Sequence, residues 1–96
     1  MSVKFEWDRR KAVSNISKHG VAFDEALTVF ADPLARIFDD EDHSLREQRE
    51  IIIGHSPAKR LLLVAFLEQE ENRVRIISAR RATKKELQDY EEHAAN

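Results

Sequence analysis

The run Leu61–Leu67, LLLVAFL, is the strongest constraint on how this chain folds. Successive residues of a strand point to opposite faces, so seven apolar residues in a row make both faces apolar. Such a strand needs cover on two sides and belongs in the interior of a sheet. Two neighbouring stretches have strand character: Arg46–Ile53, which ends in three isoleucines before Gly54, and Arg73–Ala79. The linkers are short, His55–Lys59 with Pro57 and Gln69–Asn72. Short connections join antiparallel neighbours, so these strands are expected to form a meander. At 96 residues the chain holds one core of this kind, and residues 1–96 read as a single domain.

The remaining elements are legible at their ends. Val3–Trp7 reads as a first strand, with Val3, Phe5 and Trp7 on one face, and Asp8 as the N-cap of a helix over residues 9–19. Ala12, Val13 and Ile16 are its expected inward residues, and Gly20 its C-cap. Phe23, Ala26, Leu27 and Phe30 recur at helical spacing and predict a second, shorter helix that stops at Asp32-Pro33. Ala35–Phe38 reads as a strand leading into four consecutive carboxylates, Asp39–Asp42. Those lack the alternating ligands and glycine of a calcium loop and read as a solvated acidic turn. On Arg73–Ala79, Val74, Ile76 and Ser78 alternate with Arg75, Ile77 and Ala79. Thr83 and Glu86 then form a capping box for a last helix with Leu87, Tyr90 and Ala94 along one stripe. The expected class is α+β: an antiparallel sheet, a two-helix hairpin near the N-terminus and a C-terminal helix.

Composition removes several function classes. Cysteine is absent, which excludes disulfides, thiolate nucleophiles and cysteine-bound zinc. A net charge of -2 argues against coating nucleic acid by bulk charge and leaves the matter to local patches. One such patch stands out: Arg73–Lys85 carries six basic residues and no acidic one, at a strand-to-helix junction. The N-terminus has charges where a signal peptide is apolar, and no stretch approaches the roughly 20 apolar residues of a membrane span. A cytoplasmic protein is expected.

The groups able to do chemistry are His19, His43, His55, Glu47, Arg49, Arg60, Arg80 and Arg81. No nucleophile elbow, phosphate-binding glycine loop or zinc-helix histidine pair is present, so no metal and no cofactor are expected. Arginines with groups that move protons suit metal-independent RNA cleavage. There a 2′-hydroxyl attacks the neighbouring phosphate, and cations stabilise the charge-rich transition state. A bland reading competes: Glu47 and Arg49, two apart on one strand, suit cross-strand ion pairing. Arg80 and Arg81 fit ion pairing or anion binding equally.

The motifs FEWD (Phe5–Asp8), Asn15 with KHGV (Lys18–Val21), F-x-E-A (Phe23–Ala26) and VFADP (Val29–Pro33) arrive in that order. After them come HS (His43–Ser44), E-x-R (Glu47–Arg49), Ile53-Gly54, RIISARRATKKE (Arg75–Glu86) and Tyr90. Together they resemble the BrnT family of type II toxins, within the wider RelE-like fold. One position departs: where the family places glycine before arginine, Lys59 precedes Arg60.

The resemblance implies a small ribonuclease that blocks translation and is held inactive by a BrnA-type antitoxin. That partner would be a ribbon-helix-helix protein that contacts operator DNA on behalf of the complex, in a possible higher-order assembly. Relatives of that fold place cations on the sheet face and near the last helix, which matches Arg49, Arg60, Arg80 and Arg81 by location. The site expected here has His19 as the proton-transfer group, Arg49 and Lys18 beside it, and Arg80 and Arg81 on phosphate. Arg60, Glu47 and Lys84 are assigned to substrate binding. The alternative is a module of the same fold that binds RNA or protein without catalysis.

Overall fold

A computed structural model describes residues 2–41 and 48–94. Asp42, His43, Ser44 and Glu47 lie outside the described residues, and with them part of the acidic turn and one of the expected substrate-binding groups. Five strands form one sheet in the order β1-β5-β4-β3-β2: β1 Lys4–Trp7, β2 Arg36–Asp39, β3 Arg49–His55, β4 Leu61–Gln69 and β5 Arg73–Arg81. Helices α1 (Arg9–His19), α2 (Phe23–Ala26) and α3 (Lys84–Ala94) complete the α+β domain. Among the described residues no helix is long and apolar enough to cross a membrane.

β2 to β5 pair antiparallel throughout, as the short linkers require for β3 to β5. The expectation of an antiparallel sheet nevertheless fails at β1, which pairs with β5 in parallel, Lys4 opposite Arg73 and Trp7 opposite Ile76. The sheet is mixed. The direction of β1 could not be read from a linker, because its partner lies at the far end of the chain.

β4 is the central strand. Leu62, Val64 and Phe66 face Ile52 of β3 and Val74, Ile76 and Ala79 of β5, under Val21, Phe23, Ala26 and Val29. On the other face Leu61, Leu63 and Ile53 are buried with Tyr90 of α3. α3 thus covers one end of that face and leaves the end near Ala65 and Ser78 open. Tyr90 is pinned by its hydroxyl, which donates to the Leu34 carbonyl at 2.9 Å, and by an edge-on contact with the His55 ring.

Two helical expectations change. The second helix is α-helical only over Phe23–Ala26 and tightens to a 3-10 turn over Leu27–Ala31, so no pair of regular helices forms a hairpin. In α1, Val13 is 65% and Ile16 52% exposed, although apolar periodicity directs both inward. The helix instead turns Ala12 and Asn15 to the protein, because Asn15 satisfies backbone groups of β5 that an apolar side chain cannot.

The caps form as read. Asp8 accepts from the N–H groups of Arg10 (2.8 Å) and Lys11 (3.2 Å). Gly20 has φ +67°, left-handed. Thr83 N–H donates to Glu86 Oε1 at 2.8 Å and Glu86 N–H to Thr83 Oγ1 at 3.1 Å. Lys59, standing where the resemblance expects glycine, has φ +62°.

Candidate active site

β5 places the site through one irregularity. Phe66 is opposite Ile76 and Ala65 opposite Ser78, so Ile77 is an extra residue, a β-bulge. The bulge reverses the alternation expected for this strand. Val74, Ile76 and Ala79 share the helix-covered face, and Ser78 and Arg80 turn to the open one with Ala65 and Leu63. Arg81, opposite Leu62, returns to the helix-covered side.

α1 lies against the same stretch of β5. β1 pairs only as far as Ile76, and beyond it the Asn15 carboxamide bonds to Ala79: Nδ2 donates to the carbonyl at 2.8 Å, and the Ala79 N–H donates to Oδ1 at 3.0 Å. Nδ2 also donates to the Val21 carbonyl at 2.8 Å, which fixes the chain after the helix. Lys11, Lys18 and His19, four before and three and four after Asn15, fall on its side of the helix.

The result is two neighbouring depressions that share His19 and Ser78. The first, about 240 Å³, is lined by Lys11, Lys18, Arg49 and Ile77 besides the shared pair, over Ser14 and Asn15. Among the described residues no carboxylate lines it. The second, about 270 Å³, has Ile51, Leu63 and Ala65 for its floor and Asp40 and Arg80 at its margin. Of the residues expected at the site, His19, Lys18, Arg49 and Arg80 therefore come together.

The others do not. The Arg80 guanidinium is itself engaged by Glu86, Nη1 to Oε1 at 2.8 Å and Nη2 to Oε2 at 2.9 Å. This pair holds the Glu86 carboxyl down to about 2 and raises Arg80. Arg81 is exposed on the opposite side of the strand. Arg60 forks onto Glu25, whose Oε2 accepts from Arg60 Nε at 2.9 Å and from the Ser56 hydroxyl at 2.7 Å; Arg60 also donates to the Gly20 carbonyl. That clamp lowers the Glu25 carboxyl, chiefly through the Arg60 hydrogen bonds, and ties the start of α2 to the β3–β4 turn. Lys84 is exposed in the first turn of α3, outside both depressions.

Lys11, Ser78 and Asp40 went unread in the sequence. For Lys11 the signal was available, since Lys11, Asn15, Lys18 and His19 make a polar stripe at helical spacing. Ser78 was hidden by the bulge and Asp40 by its place in an acidic run.

A small α+β domain with a histidine among lysines and arginines on the open part of its sheet has the make-up of a phosphodiester-handling protein. Comparison with known proteins specifies the class. Residues 7–86 match the family of ribonuclease toxins, BrnT, of type II toxin-antitoxin systems. The chain belongs to the BrnT family. Its fold is similar to that of the Brucella abortus ribonuclease toxin BrnT, known from a 1.1 Å crystal structure: the TM-score is 0.67 at 25% identity, over 86% of this chain and 100% of that one. Comparison with curated proteins gives no sequence match. Membership of a type II family implies an antitoxin partner.

Proposed function

We propose that this chain is a metal-independent RNA endonuclease of RelE-like type that inhibits translation in the cytoplasm. The observation that carries the reading is the convergence of Lys18 and His19 from α1 with Arg49 from β3 at one depression, which no carboxylate lines among the described residues. A phosphodiester seated there meets cations on both sides. Attack by the 2′-oxygen forms a new P–O bond and breaks the bond to the 5′-oxygen of the next nucleotide, leaving a cyclic phosphate and a 5′-hydroxyl. One proton leaves the 2′-hydroxyl and one joins the 5′-oxygen. Imidazole is a side chain able to give or take a proton in such a step, and His19 transfers one of them. Lys11, Lys18 and Arg49 stabilise the charge on the phosphoryl oxygens. Arg80 shapes the neighbouring wall while held by Glu86. Arg81, Arg60 and Lys84 extend the positive field for RNA from outside the two depressions.

Inhibition falls to a BrnA-type ribbon-helix-helix antitoxin, which also carries the operator contacts of the complex and can join toxins into a higher-order assembly. The outer face of α1 supports a protein partner. Val13 and Ile16 are exposed between Arg9, Arg10 and Lys18, an apolar strip with a cationic margin that suits an acidic amphipathic segment.

Induced expression tests catalysis against the rival, non-catalytic docking role. A ribonuclease arrests growth at low copy and leaves RNA with 5′-hydroxyl ends, and Arg49→Ala relieves both. Growth without RNA fragments would favour the docking module.

A further inference from the structure

The two depressions meet at His19 and Ser78. His19 has a role above, and Ser78 has none. We propose that the Ser78 hydroxyl donates a hydrogen bond to one non-bridging oxygen of the scissile phosphate and stabilises it in the transition state. This rests on the ribonuclease reading, since it needs the phosphate to lie against His19.

Position makes the case first. A group that moves a proton to or from the reacting oxygens has to stand within hydrogen-bond reach of them. What shares its junction is therefore near the phosphorus. Ser78 shares it from β5, while Lys11 and Lys18 come from α1 and Arg49 from β3. Those three side chains are long, and holding each in one geometry costs rotamer freedom. The serine side chain is short and stands on a strand. Ser78 is opposite Ala65 of β4, and the next residue, Ala79, has both its backbone groups on the Asn15 carboxamide. The backbone that carries the hydroxyl is thus held from both sides. A donor fixed before the substrate arrives needs no reorganisation at the moment of reaction.

Chemistry agrees. As the 2′-oxygen closes on phosphorus, the non-bridging oxygens gain charge, and a hydroxyl can donate to one of them without adding charge of its own. Beside Ser78 the second depression is lined by Ile51, Leu63 and Ala65. RNA lying over this aliphatic floor displaces water from the junction, and a hydrogen bond to a charged oxygen strengthens as water leaves. The bulge at Ile77 is what brings a hydroxyl there, because in regular alternation with Val74 and Ile76 the Ser78 side chain would face the core.

The test takes a short RNA that the wild type cuts and replaces either non-bridging oxygen at the cut site by sulfur, with the two diastereomers separated. Sulfur accepts hydrogen bonds poorly, so single-turnover rates reveal which oxygen a donor serves. Ser78→Ala should cut the all-oxygen RNA about tenfold or more slowly, with RNA affinity changed by less than about threefold. One diastereomer should be cut about tenfold more slowly than the all-oxygen RNA by the wild type, and within about threefold of it by Ser78→Ala. Ser78→Thr, which keeps the donor, should keep the wild-type discrimination. A slow Ser78→Ala that discriminates sulfur from oxygen as the wild type does overturns the proposal, because a loosened strand slows all three RNAs alike. A Ser78→Ala that cuts as fast as the wild type overturns it too, and both results leave the ribonuclease reading standing. A wild type that cuts no RNA overturns that reading and the role of Ser78 with it.

Discussion

The Asn15 carboxamide closes both backbone hydrogen bonds of Ala79, sixty-four residues away, and so does for the outer edge of β5 what a further strand would do. This seats α1 against the bulge and sets His19, one turn on, beside Ser78. The geometry of the candidate site and the stability of the fold therefore share one side chain.

Asn15→Ala leaves the N–H and carbonyl of Ala79 and the carbonyl of Val21 without these partners at a buried position. The expected loss is about 2–4 kcal/mol, several bonds together. Urea unfolding measures it. A change below about 0.5 kcal/mol would mean that water replaces the carboxamide and that other contacts hold the helix.

The Arg80–Glu86 pair makes stability depend on pH. Arg80 hydrogen bonds foremost, then Thr83 against an opposing burial effect, hold Glu86 at about 2, below its ordinary 4.5. A lowered carboxyl stabilises the fold fully above about pH 4.5, and that contribution disappears as pH falls toward 2. The Arg80 side chain is 42% exposed, so solvent screening limits the effect to on the order of 1 kcal/mol. Thermal melts should show that Arg80→Ala lowers stability at neutral pH by about that amount and that the gap narrows in acid. A gap constant with pH would separate the mutant's cost from the ion pair.

Much of this was legible beforehand, and the misses have physical causes. Asp8, Gly20 and the Thr83–Glu86 box could be read because caps depend on neighbours in sequence. LLLVAFL gave the central strand, and short linkers gave the antiparallel run β3 to β5. The parallel β1 could not be read, since its partner is fixed by tertiary packing. Val13 and Ile16 misled because α1 buries a polar residue to serve β5. The Ile77 bulge had a faint signal: the apolar positions of β5 move from Val74 and Ile76 to Ala79 across the doubled isoleucine. Without that slip Ser78 would face the core and Arg81 would stand where Arg80 does.

Lys59 adopts φ +62° in the β3–β4 turn, with its N–H donating to the Ser56 carbonyl at 2.9 Å. A side chain there is strained, whereas glycine is not. Lys59→Gly should raise stability by about 1 kcal/mol despite the extra freedom glycine gives the unfolded chain. Denaturant midpoints check this, and a destabilised variant would show that the lysine stem makes contacts that outweigh its strain.

The central claim is that His19 transfers a proton during RNA cleavage. The most direct measurement is the single-turnover cleavage rate of purified His19→Ala beside the wild type, with melting of both. His19 is exposed, so the melting temperature should be unchanged, while the rate should fall by about 100-fold or more, the usual share of general acid–base catalysis. A variant that melts like the wild type and cuts RNA within about threefold of its rate would contradict the account.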